Sequence, residues 1–318
     1  MISFIVIGKN EGFKLVLSIN SIYTFVTANT IKDFEIIYVD SKSNDNSVAD
    51  VLKINNNIRV AALQEDCNAA IARNTGAELA QGDILFFMDG DMELIPDFRL
   101  DIEKEYSIQK YILISGQIDN IFYDQSFKNE LSRNKYYPGL LKDKKEFFFG
   151  GLFIIEKKLW EKYQGMRTEF VYGEDIDLSI RLSGNNFFLT RKHQSLVLHH
   201  TTEKKLSLKQ LIKNACFSRG YLYRKNFFNP YTSIRIFKSD PTFPILVFTL
   251  LGLLITGSFI FPALYVALLI TAVIIVARKN IKSIFERIPT QFLRDIFVIL
   301  SFLFYFPSPK KVNYSVIR

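Results

Sequence analysis

Cysteine is nearly absent. Cys67 and Cys216 are the two in 318 residues; they lie far apart and lack CxxC spacing. That excludes a disulfide framework and a cysteine zinc site, and fits a reducing compartment. Histidine is scarce as well, with three residues, of which His199 and His200 are adjacent. A secretory signal is missing: "MISFIVIGKNEG" has no basic n-region, and its apolar run is Ile2 to Ile7. The N-terminal part is therefore expected to stay in the cytoplasm. Internal repeats and low-complexity tracts are also lacking. The net charge of +8 and pI of about 9.2 suit nucleic acid, anionic lipid or phosphorylated substrates. No recognisable nucleic-acid module accompanies that charge, so nucleic acid is not an expected partner.

What is present begins with buried strands. "ISFIVIG", "FEIIYVD" and "DILFFMD" read as strands covered on both faces, as in a parallel sheet flanked by helices. Between them, Glu11 to Phe25 carries apolar residues at helical intervals, and "NAAIARNTGAELAQG" reads as a second helix with Gly82 as its C-cap. This β-α-β-α-β succession predicts a doubly wound α/β domain whose ligands bind beyond the carboxyl ends of the strands. Gly8, Asp40 and Asp89 stand at three such ends. Residues 100–150 read as a harder, partly irregular stretch, "FFFGGLFIIEKKLW" as strand-like and "GEDIDLSIRLSG" as a loop entering a helix.

Composition shifts after His200. Residues 201–242 form a basic juxtamembrane segment, with nine Lys or Arg against Glu203 and Asp240 over 201–240. Phe243 to Ala277 holds no charged residue. As one helix it would run roughly 50 Å against a hydrocarbon core of about 30 Å, so a transmembrane hairpin divided at Pro262 is expected. Residues 278–318 read as a basic interfacial segment with a short apolar helix, Ile296 to Phe306. The chain is thus expected at the cell membrane, multi-pass, with its N-terminal domain cytoplasmic and membrane lipids as partners.

Several motifs occur in order: "FIVIGKNEG", "IIYVDSKSNDNS", "AIARNTGAELAQGDILFFMDGD", "GGLFIIEKKLW" and "GEDIDLSIRL". Over residues 1–200 this set resembles family 2 glycosyltransferases, which have the GT-A nucleotide-sugar-binding fold. The resemblance implies that Gly8, Asn10 and Glu11 line the nucleotide pocket and that Asp40 accepts a hydrogen bond from the base, most often uracil. Arg73 would lie near the nucleotide, and Asp83 is a further candidate contact. Asp91 would hold Mg²⁺ or Mn²⁺, with Asp89 bridging ribose and metal, so that the cation neutralises the departing diphosphate. A histidine completes such metal sites, and His200 is favoured over His199. Asp175 would be the general base that deprotonates the acceptor hydroxyl, with Glu174 orienting acceptor or base. Asp177 fits a helix N-terminal acid better than a catalytic group. Gly150 and Gly151 would let backbone approach the donor sugar.

The "QxxRW" motif of processive synthases is absent, which points to one sugar per acceptor. The expected activity is that of a metal-dependent inverting glycosyltransferase. It would use a nucleotide sugar, UDP-linked, and a lipid-linked or saccharide acceptor in envelope or extracellular polysaccharide assembly. A polyprenyl-phosphate glycosyltransferase and a non-catalytic membrane scaffold are the alternatives.

Overall fold

A computed structural model describes residues 1–55, 57–202, 217–277 and 281–317. The chain divides into two units: one of residues 1–170, 174–205 and 309–318, the other of 171–173 and 206–308.

The first unit is built on one mixed sheet. Strands β1 (Ile2–Gly8), β2 (Phe34–Asp40), β3 (Arg59–Leu63) and β4 (Ile84–Asp89) run parallel in the order β3-β2-β1-β4. Alternate side chains enter separate cores, as a strand's two-residue period requires. Phe4, Val6, Tyr38, Phe86 and Met88 join the core under helix α1 (Phe13–Ala28). Ile5, Ile7, Val39, Leu85 and Phe87 join the core under α3 (Ala69–Leu79). This two-sided burial is why the three expected strands read as nearly continuous apolar runs. Strand β3 and helix α2 (Ser47–Ile54) were not anticipated; the strand is short and carries an Arg.

The sheet continues through β9 (Phe153–Glu156), antiparallel to β4, then β6 (Leu113–Tyr123), β10 (Leu189–Thr202) and β5 (Met92–Leu94). The stretch expected to be irregular contains exposed strands β7 (Glu130–Lys135) and β8 (Lys144–Glu146), which pair with β6 and β10. Three further helices complete this unit, α4 (Ile102–Gln109), α5 (Lys157–Lys162) and α6 (Glu174–Ser183). A final strand, β11 (Tyr314–Val316), returns to pair antiparallel with β3. The expected cap at Gly82 is corrected. Helix α3 ends at Leu79 with Ala80 as its cap, and Gly82 instead lets the chain pass Ser3, whose Oγ would lie 2.6 Å from an added Cβ.

The second unit is helical: α7 (Phe217–Lys225), α8 (Pro230–Ser239), α9 (Thr242–Thr256), α10 (Ile260–Ala277) and α11 (Ile281–Phe304). Two of its carboxylates are fully buried: Asp240, which accepts from Arg219 at 2.7 Å and pairs with Arg294 at 3.0 Å, and Asp295, which accepts from the Tyr265 hydroxyl at 2.9 Å. The uncharged run breaks at Gly257 rather than Pro262. Gly257 takes a left-handed φ of 68° and caps α9, whereas Pro262 sits in the first turn of α10, where a missing N–H costs nothing. The expected basic segment and short apolar helix merge into the single helix α11, which contains Pro289. Residues 203–216 of the basic juxtamembrane segment expected at 201–242 lie outside the described residues, as do 278–280 of the interfacial segment.

The expectation of two membrane spans meets a length problem. Among the described residues no single helix is long and apolar enough to cross a membrane. Helix α9 has 15 residues, about 22 Å at the usual rise. Helices α8 and α9, bent by 97°, reach the length and apolar composition of a span only together. Apolar side chains nevertheless stand in the open on α9, with Leu254 80% and Ile255 82% exposed.

Candidate active site

The parallel register sets one row at the carboxyl edge of the sheet. Gly8 is the Cα partner of Asp40 across β1 and β2, and Ile7 is the partner of Asp89 across β1 and β4. Asp40 is buried and accepts from the Tyr38 hydroxyl at 2.8 Å and the Ser43 amide at 2.9 Å. The loops after β1 and β2 are laced together. Asn10, at a left-handed φ of 58°, donates its amide to Ser43 Oγ and accepts the Asn44 amide on Oδ1.

Glu11, Asp89 and Asp91 are matched by three cationic or titratable partners. Lys14 Nζ contacts Glu11 Oε2 at 2.5 Å and stands 4.0 Å from Asp91 Oδ2. Burial and then the Asp91 charge push the Glu11 carboxyl above its ordinary range, with Lys14 opposing. Asp91 itself feels burial upward, but His199 and Lys14 outweigh it and hold the carboxyl below its usual range. His199 Nε2 lies 3.4 Å from Asp91 Oδ2. For His199, burial lowers the pKa, and Asp91 and Asp89 more than reverse that.

The expected histidine is corrected. Neighbouring residues of a strand point to opposite faces, so His199 and His200 cannot both reach Asp91. His200 is turned to Glu93 through Nε2 at 2.9 Å and to the Tyr123 hydroxyl through Nδ1 at 3.1 Å. His199 is the one beside Asp91.

Arg73 joins this row to the second carboxylate cluster. Its side chain is 4% exposed; Nη2 donates to Asp89 at 2.7 Å and Nη1 to Glu174 at 3.2 Å. Burial and the neighbouring Asp175 charge push Glu174 up to about 7, with Arg73 opposing. Glu174 and Asp175 open helix α6, where acids are favoured by the macrodipole. Gly150 and Gly151 face the same groups. An added Cβ would stand 3.8 Å from Asp175 Oδ2 at Gly150 and 3.4 Å from Asp89 Oδ2 at Gly151. Asp177 is fully buried between Arg167 and Arg181, at 2.8 Å from each, which is a structural role. Asp83 does not join the site. Its carboxylate, 87% exposed, lies at the opening end of β4, 3.8 Å from the chain's amino terminus.

Among the described residues no group of three or more His, Cys, Asp or Glu side chains is poised to hold a metal ion. Asp89 gives one of its oxygens, Oδ1, to Arg73. Asp91 nonetheless fits a cation: its Oδ1 is buried without a hydrogen-bond partner in the chain, and its Oδ2 faces an imidazole nitrogen. An unpaired buried carboxylate oxygen is costly unless something positive meets it.

Lys14 and Asn120 were not singled out from sequence. Lys14 lies in the first turn of α1, where the helix dipole disfavours a cation, so its position called for an acidic partner. Asn120 belongs to "GQIDNIF", a strand with an unusual run of polar residues.

Residues 3–164 match the model of glycosyl transferase family 2. The poly(ribitol-phosphate) beta-N-acetylglucosaminyltransferase TarP of Staphylococcus aureus (strain N315) is 26% identical over 229 residues, covering 59% of this chain and 69% of TarP. The crystal structure of S. aureus TarS 1–349 superposes with a TM-score of 0.57 at 14% identity, covering 95% of this chain and 88% of that one. At that identity the likeness concerns the fold.

Proposed function

Because the chain belongs to glycosyl transferase family 2, we propose that it transfers one sugar, with inversion, from a UDP-linked donor to a hydroxyl of an envelope saccharide. The observation that carries this reading is Arg73, one guanidinium paired with both Asp89 and Glu174. It ties the donor row to the carboxylates of α6.

In this reading Gly8, Asn10, Glu11 and Asp40 receive the nucleoside, and Asp89 and Gly151 meet the ribose and donor sugar. Asp175 accepts the proton of the acceptor hydroxyl as its oxygen attacks the anomeric carbon. Glu174, with a pKa about 7, orients base or acceptor without adding a full second charge beside Asp175. Asp91 and His199 would hold Mg²⁺ or Mn²⁺, which when bound neutralises charge on the departing diphosphate. Lys14, 4.0 Å from Asp91, adds a fixed positive charge there.

The acceptor reading draws support from TarP, whose name specifies poly(ribitol-phosphate) as its acceptor. We extend this to a surface polymer or its lipid-linked precursor. The exposed apolar side chains of α9 and α10 support attachment to the cell membrane, and in this proposal the first unit lies on the cytoplasmic side.

The test is a panel of nucleotide sugars offered to detergent-solubilised protein with Mn²⁺, with Mg²⁺ and with chelator. Release of one nucleoside diphosphate only in the presence of metal supports the reading and names the donor. Transfer to polyprenyl phosphate itself would favour the narrower lipid-phosphate activity. No turnover and no metal-dependent nucleotide binding would favour the scaffold.

A further inference from the structure

Strands β6 and β10 run parallel with Asn120 and His199 as Cα partners, so their side chains emerge side by side. Asn120 is buried, and its Oδ1 lies 2.9 Å from His199 Nδ1. On its other side the carboxamide donates from Nδ2 to Asn134 Oδ1 at 3.1 Å. With its amino group engaged by Asn134, Asn120 presents its carbonyl oxygen, an acceptor, to the imidazole. In this arrangement His199 carries hydrogen on Nδ1. In the neutral ring, Nε2 then holds a lone pair, and it faces Asp91 Oδ2 at 3.4 Å. The second Asp91 oxygen is the buried one without a partner. In this neutral tautomer the Nε2 lone pair and the Asp91 oxygens converge, with Lys14 Nζ 4.0 Å from Oδ2.

We infer that Asn120 is a positioning residue for the cation: it locks His199 as the Nδ1–H tautomer, so that Nε2 and the Asp91 carboxylate are presented together to a divalent metal. This rests on the metal-dependent reading above. His200 makes the contrast within the same strand. Both of its ring nitrogens are engaged, by Glu93 and Tyr123, and none is left to bind a metal. Outer partners of this kind, which fix ring orientation and tautomer, typically change metal affinity by about 10–100-fold when removed.

The experiment measures Mn²⁺ affinity of the full chain, in detergent with UDP, by calorimetry, and nitrogen coupling to bound Mn²⁺ by pulsed electron paramagnetic resonance. Wild type is expected to bind Mn²⁺ with an imidazole nitrogen signal that His199→Ala abolishes. Asn120→Leu should weaken binding by about 10–100-fold and diminish that signal. Asn120→Asp, which keeps an acceptor facing Nδ1, should stay within a few-fold of wild type. Should Asn120→Leu fail to fold, Asn134→Ala at the exposed end of the relay substitutes for it, with a smaller loss of affinity and signal expected. Unchanged Mn²⁺ affinity and nitrogen coupling in the folded Asn120 or Asn134 variants, with wild type binding normally, overturns this inference alone. Absence of Mn²⁺ binding by wild type overturns it together with the metal-dependent reading.

Discussion

Gly151 has no side chain because Arg73 occupies the place where one would stand: an added Cβ would lie 2.0 Å from Nη2 of the guanidinium. The guanidinium cannot yield cheaply, since it is buried and paired on both sides. Gly151→Ala should therefore displace it from Asp89 and Glu174, lowering kcat/KM by about 100-fold or more, the scale of a roughly 1 Å misplacement. Gly150→Ala meets nothing closer than 3.8 Å and should leave the melting temperature unchanged. Equal melting temperatures and rates for Gly151→Ala and wild type would remove Arg73 from the argument.

Asp91 and Asp175 should fail in different ways. Asp91→Ala is expected to abolish metal-dependent nucleotide binding, read by calorimetry with and without Mn²⁺. Asp175→Asn should bind donor as wild type does and lose transfer by about 100-fold to 10,000-fold, the usual contribution of a positioned base. Near-normal turnover by Asp175→Asn would mean that another group takes the proton.

Glu174 predicts a pH dependence of stability with a definite sign. Its carboxyl is raised from 4.5 to about 7 in the folded chain, by burial first and the Asp175 charge second. A raised acid holds its proton more tightly when folded. Its contribution is complete below the unfolded value and is lost as pH rises through the folded one. Relative to Glu174→Gln, wild type should lose stability between about pH 4.5 and 7, by up to about 3 kcal/mol at about 1.4 kcal/mol per unit. Melting curves of both proteins at pH 5 and pH 8 measure this, and a pH-independent difference between them would count against it.

Asp177 is the control among the carboxylates of α6. It is fully buried between two arginines, so Asp177→Ala leaves Arg181, itself largely buried, without its charge partner. A loss of about 3–5 kcal/mol in denaturant melts is expected. The folded fraction should keep its transfer rate per molecule, which a catalytic carboxylate would not allow.

Strands β1, β2 and β4 were legible because both faces of each are buried and every residue contributes to the signal. Strands β3, β7 and β8 were not, being short, charged or exposed, with pairing supplied by distant partners. Asp40, Asp89 and Asp91 stood out as carboxylates closing apolar runs. The choice between His199 and His200 depended on which face of β10 meets β5, a matter of register that composition does not carry. The uncharged run breaks at Gly257 and not at Pro262 because proline, although the stronger helix breaker in the interior, is harmless in a first turn, whereas glycine is favoured after a last one.

Strand β11 has a consequence for how the chain can meet a bilayer. The polypeptide leaves the sheet after β10 and rejoins the same sheet, beside β3, within its last residues. Both ends of the intervening helical stretch are thereby tied to a single compartment. Any number of crossings made in between must be even, so three crossings by α9, α10 and α11 are excluded. Tags inserted beside β10 and beside β11 should be shielded, or exposed, together.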